Sequence, residues 1–175
     1  MPKLRKTLGN IHSPECIALM RLIETQHERT LIAWAVEYVK NNYLRIYETE
    51  RPGNLRLSKV IGACEEYLKG SLNRNEIKPI LREAGAIARE VADHPTAQAA
   101  ARAISTACAT INTPTNALGF LFYGAAAAAY AQAGLFQTSE VYEELASVEL
   151  KKALNALQRI SIPDEPHPVK ICWNC

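Results

Sequence analysis

The chain has 175 residues, a net charge of +2, an ordinary 22% charged fraction and five cysteines. That size fits one domain with a sizeable core, and so balanced a charge supplies no field that would favour nucleic acid or acidic lipid. The cysteines, at 16, 64, 108, 172 and 175, are odd in number and mostly embedded in helical patterns, which reads as reduced, buried thiols rather than a secreted disulfide framework.

Residues 1–13 form a weakly basic arm with Lys3, Arg5 and Lys6, expected to fray because no aromatic residue is interleaved as a nucleic-acid contact would require. No continuous apolar stretch follows these cations and no small-residue cleavage site appears, so a secretory signal is not expected and the location is read as cytoplasmic. A helical domain is expected over 14–158. Leu31, Trp34, Ala35, Tyr38, Val39 and Ile46 follow the spacing of one helical face and predict a helix from 28 to about 47. Pro52 and Gly53 break it. A second helix carries Leu57, Val60, Ile61, Cys64, Tyr67 and Leu68 on one face and ends at Gly70, where a left-handed cap is cheapest. A third begins near Asn73 or Asn75, with Glu76 placed as in a capping box, and Pro79 argues for the later start. Its inward stripe is Ile77, Ile80, Leu81, Ala84, Ala88 and Val91.

From Asp93 to Glu140 the only charged side chain between them is Arg102, within a run of alanine and other small residues. Thr113-Pro114 divides this run into two helices, 96–111 and 114–133, with Gly134 closing the second. Thr138 or Ser139 caps a last helix to 157, with Leu145, Leu150, Leu154 and Leu157 inward, and the proline-containing tail 159–175 is expected to be extended. The second helix is long enough for a membrane span of about 20 residues. Alanine offers little transfer energy, however, and Arg102, Ser105, Thr106 and Thr110 make its partner too polar, so a buried hairpin is favoured over a membrane one. A guanidinium on such a helix calls for a carboxylate or several carbonyls, and Glu37, Glu83 and Glu90 are the candidates. The fold class is therefore all-α: a single-domain bundle of about six to seven helices around a buried alanine-rich helical hairpin.

Chemical motifs are few. Cys172 and Cys175 have the spacing of redox and zinc sites, but no strand–helix context accompanies them and His167 would supply only a third ligand, leaving a surface tail anchored by Trp173 as the competing reading. No nucleophile elbow, zincin motif or phosphate loop is present. His12, His27, His94 and His167 fall in loops or near helix starts, which favours capping or exposed roles. Adjacent Glu65 and Glu66, and Glu143 and Glu144, diverge on a helix and read as solvated faces. The seven tyrosines could anchor an interface, but their helical spacing favours the core with their hydroxyls reaching the surface.

Four strings, LIAWAVEYV, KVIGACEEYLKGSL, REAGAIAREVADHPTAQAAARAI and TACATINTPTNALGFLFYGAAAAAYA, resemble in content and order an all-helical family of immunity proteins from bacterial polymorphic-toxin systems, the immunity-protein-five-like family. The resemblance spans about residues 30–135. It implies a non-catalytic helical protein, with no cofactor, that binds and neutralises a cognate toxin. It also gives weight to Trp34, Arg56, Gly70, Arg102, Thr106, Asn112, Asn116, Gly119 and Tyr123. The chain departs from the family pattern where relatives carry histidine at the positions of Thr106, Asn112 and Asn116, and where an Arg-Pro pair stands at Arg56-Leu57. Short polar side chains bonding backbone at the turn would account for the amides. The alternative function is a helical small-molecule- or metal-binding enzyme with a polar pocket around Arg102, Asn112 and Asn116. A third possibility is a homo-oligomer whose alanine-rich helices pack across subunits.

Overall fold

Residues 3–173 are described by a computed structural model, and among them every regular element is helical. Eight α-helices follow in chain order: α1 (Pro14–Glu24), α2 (Glu28–Asn42), α3 (Leu44–Glu50), α4 (Arg56–Lys69), α5 (Arg74–Glu90), α6 (Pro95–Cys108), α7 (Asn116–Ala133) and α8 (Ser139–Ile160). A 3-10 turn at Ala109–Ile111 extends α6. This is the all-α bundle around an alanine-rich hairpin that the sequence pattern implies. Two helices come in addition. Helix α1 starts at Ser13, whose Oγ accepts from the Cys16 amide at 3.2 Å, with Pro14 preset for the first turn. The helix expected over 28–47 is split at Tyr43, whose φ of −110° departs from helical values.

The hairpin α6–α7 is the most extensive helix pair, and α6 also touches α2, α3, α4 and α5. A helix with five neighbours needs thin side chains all round, which is what the alanines supply. At its seam Thr106 meets Gly119, where an added Cβ would lie 3.7 Å from the Thr106 methyl. One turn further along the same seam Arg102 lies over the ring of Tyr123, 5.8 Å from its centroid.

Tighter still is the approach of Tyr43 to α7. A Cβ at Gly124 would stand 2.2–2.3 Å from atoms of the Tyr43 ring, so only glycine admits the ring there. The Tyr43 hydroxyl then donates to Glu149 at 2.8 Å, and Tyr38 donates to the same oxygen at 2.6 Å. Glu149, on α8, is 8% exposed. Two phenolic donors satisfy a carboxylate that burial would otherwise penalise. Burial, then the charge of Glu149, pushes the Tyr38 and Tyr43 hydroxyls far above the usual phenol range. The expected surface-reaching tyrosine hydroxyls are thus corrected at these positions. Tyr130 and Tyr142 likewise turn theirs to the backbone carbonyls of Arg5 and Gly134.

Helix ends follow their caps. Gly70 closes α4 at φ +85°, and Asn73 with Glu76 forms a reciprocal capping box on α5. The α5 start therefore falls at Arg74 rather than Asn75, and Pro79 lies inside the helix. Asn75, whose carbonyl loses its intrahelical donor to the proline, is exposed and can be hydrated. Helix α7 begins at Asn116, after a turn at Thr113–Thr115 in which Asn116 N donates to Thr113 O at 3.1 Å, two residues past the expected start at Pro114.

The arm does not fray from Lys3 onward. Leu8 is 2% exposed and its amide donates to Phe122 O at 3.1 Å, while Tyr130 Oη donates to Arg5 O at 2.5 Å. Apolar burial at Leu8 and two backbone bonds overcome the tail's entropy. At the other end, residues 161–173 carry no helix and dock on the α1–α2 corner through Gln26, whose amide oxygen accepts from Ile162 N at 2.8 Å and whose nitrogen donates to Ile162 O at 3.2 Å. Trp173 packs on the core and donates to Glu24. Cys175 lies outside the described residues, so the paired-cysteine reading does too. Among the described residues no helix is long and apolar enough to cross a membrane, and no group of three or more His, Cys, Asp or Glu is arranged to hold a metal ion.

Candidate functional site

Of the three glutamates expected to pair with Arg102, none does. Glu83 and Glu90 are held by Arg56, whose guanidinium reaches Glu83 at 2.6 and 3.1 Å and Glu90 at 2.5 and 3.2 Å. Arg56 opens α4 opposite the two α5 carboxylates, which lie on one face of their helix, and its hydrogen bonds hold the Glu90 carboxyl below the usual range. Glu37 lies in a different depression, the groove between α2 and α8. The exposure of Arg102 is intermediate, so its guanidinium reaches solvent, and the Tyr123 ring lies where a counter-ion was expected. The guanidinium makes no hydrogen bond or ion pair with any described residue, and its Nε is buried without an acceptor.

Around Arg102 lies a cleft of about 440 Å³. Its floor is the N-terminal half of α6, with Gln98 and Ala99, and its walls are the anchored arm and the loop after α7. Lys3, Arg5 and Lys6 reach it from the arm, and no carboxylate lines it. Arg5 has a counter-ion outside the cleft, Glu143 at 2.6 Å. Leu4, Leu135 and Phe136 supply the apolar wall, and Phe136 is 77% exposed, the most exposed large apolar side chain described. A smaller cavity of about 170 Å³ adjoins it, also lined by Lys3, Leu4, Arg5, Leu135 and Phe136.

A second, larger depression of about 710 Å³ runs between α2 and α8. Val148, 64% exposed, lies along it, together with Glu37, Lys151, Lys152 and Arg159. Its charges are mixed, and Lys152 already donates to Asn42. Trp34 lines the inner wall, 3% exposed, edge-on to Phe120 at 5.3 Å, and its indole N–H finds no acceptor.

The sequence-weighted residues therefore fall in different places. Arg102 and Tyr123 meet at the cleft's edge, Thr106 and Gly119 set the hairpin spacing, Gly70 caps α4, Arg56 clamps α5 and Trp34 belongs to the core wall of the α2–α8 groove. Asn112 is exposed, and Asn116 donates from Nδ2 to Ala109 O at 3.1 Å, tying the turn to the end of α6. About three turns of helix separate Arg102 from this corner, and neither asparagine lines any of the cavities described. The convergent pocket of Arg102, Asn112 and Asn116 is corrected accordingly. His27 caps α2 by accepting from the Arg29 amide at 3.1 Å, and His94 faces Glu50 at 3.3 Å.

Neither Glu149 nor Phe136 stands out in the sequence. Glu149 sits on the inward stripe Tyr142, Ala146, Leu150, Ala153, and its helical phase was the available signal. Phe136 follows Gly134, where loop residues gave no periodicity to read.

Fold and cleft define a helical bundle with an anchored basic arm and a half-buried, unpaired arginine beside an exposed aromatic residue. The chain belongs to the family described as Imm-5 like putative immunity protein, whose family model matches residues 21–155. No curated protein and no solved structure gives a significant match.

Proposed function

We propose that the protein is a stoichiometric antidote that neutralises a cognate bacterial toxin by binding it in the producing cell's cytoplasm, as part of a polymorphic-toxin system, and without catalysis. Family membership across residues 21–155 carries the reading. In its support, the polar residues that an enzyme pocket would require do not converge: Asn116 is spent on the Ala109 carbonyl and the buried carboxylate Glu149 on two tyrosines. What the surface offers instead is recognition chemistry, an arginine and a phenylalanine in one depression, residue types enriched at protein interfaces.

The test is growth. A candidate toxin gene from the same locus is induced in a heterologous bacterium with and without the antidote. Rescue together with co-purification of the pair is expected; induction that kills equally in both cases, with no complex by pull-down, refutes the proposal.

A further inference from the structure

We infer that the Arg102 cleft is where the toxin docks, and that it accepts a carboxylate carried beside an apolar side chain in an acidic segment of that toxin; the assignment rests on the antidote reading above. Three cations, Lys3, Lys6 and Arg102, line the cleft without an ion-pair partner among the described residues, and no carboxylate lines it. Like charges around a concave, partly apolar surface reinforce one another and attract an anion. Arg102 is also preorganised. It rises from the middle of a buried helix and rests on the Tyr123 ring, so an incoming carboxylate does not have to order it.

The second half of the specificity is apolar. Leu135 and the 77% exposed Phe136 form the wall beside Arg102, and the smaller cavity, whose one carboxylate, Glu143, is paired with Arg5, continues from them. A bare anion would leave that wall wet, whereas a carboxylate with a neighbouring aromatic or aliphatic group covers both. The arm that brings Lys3 and Lys6 to the rim is fixed by Leu8 and by the Tyr130 hydroxyl, so the rim is built into the fold. The α2–α8 groove is larger, but it carries Glu37 among its cations and Lys152 is already engaged, so it lacks a uniform field.

Phenylacetate, a carboxylate on an apolar stem, serves as the first probe, with benzyl alcohol as its uncharged counterpart, each titrated into the full chain and followed by amide chemical shifts. Saturable shifts at Gln98, Ala99, Arg102, Leu135 and Phe136 are expected with phenylacetate alone. The affinity should fall by about ten- to a hundredfold in R102M, the worth of a charge-assisted hydrogen bond. Because Lys3 and Lys6 are exposed, the K3Q/K6Q double variant leaves the fold intact and should weaken binding by a smaller, salt-sensitive factor. Equal shifts with benzyl alcohol, or shifts confined to α2 and α8, overturn the assignment. In the growth assay, K6E/F136S is expected to lose protection and K151E/K152E to keep it. The reverse pattern overturns the docking assignment alone, whereas absence of protection by the wild type overturns the antidote reading and the assignment with it.

Discussion

Replacing Gly124 with alanine should destabilise the protein, although alanine is the better helix former by about 1 kcal/mol. The new Cβ would stand 2.2–2.3 Å from Tyr43 ring atoms, so the ring or α7 must move. Tyr43 is fully buried and has little room to turn, and overpacking of this kind costs about 1–3 kcal/mol. Displacing the ring also breaks its 2.8 Å bond to Glu149, a charged-group hydrogen bond worth about 1.5–3 kcal/mol, and leaves the buried carboxylate with Tyr38 alone. Subtracting the propensity gain leaves a net loss of about 1.5–5 kcal/mol. A mid-range loss of about 3 kcal/mol corresponds to roughly 6–12 °C in Tm for a chain of this length. Gly62 on α4 provides the control, because nothing lies within 4 Å of its added Cβ, and G62A should stabilise by about 0.5–1 kcal/mol. Urea unfolding of both variants decides the matter. If G124A matches or exceeds the wild type as G62A is expected to, the close approach of Tyr43 to α7 is refuted.

The same cluster sets an alkaline limit. Since folding raises the Tyr38 and Tyr43 pKa values, the unfolded chain releases these protons first. Their contribution is complete below about pH 10 and declines above it by about 1.4 kcal/mol per pH unit for each tyrosine, on the way to the raised folded-state values. Stability measured from pH 9 to 11 should fall more shallowly in Y43F by about one proton's slope. In R56M the Glu90 carboxyl, now held low by the arginine, should titrate at a higher pH, which carboxyl chemical shifts can follow. Substituting Gln26 with alanine removes both side-chain bonds to Ile162, so the tail amides of Ile162 and Val169 should lose hydrogen-exchange protection while α6 keeps its own.

Much of the helix order was legible because its punctuation is local. Gly70, the Asn73–Glu76 box, Thr138 and Gly134 each satisfy or release orphan backbone groups within a few residues, so their meaning does not wait on tertiary structure. The alanine-rich run announced burial by its composition. Its neighbours were not announced, since Arg102 had three carboxylates of equal merit in the sequence and the bundle gave two of them to Arg56. Gly124 among alanines looked like one more small residue, and its role depends on a tyrosine more than 80 positions away. The cleft was hidden for the same reason: it joins the arm, α6 and the loop after α7, and the anchoring of Leu8 and of the Arg5 carbonyl brings Lys3 and Lys6 to Arg102.

Neutralisation by binding is decided by stoichiometry: the protein is titrated into a fixed amount of its cognate toxin while the toxin's activity and the mass of each partner are followed. A linear fall to zero at one equivalent is expected, with both masses unchanged and a complex of one to one. Complete inactivation at a small fraction of an equivalent, or a covalent change in the toxin, would show catalysis instead of binding.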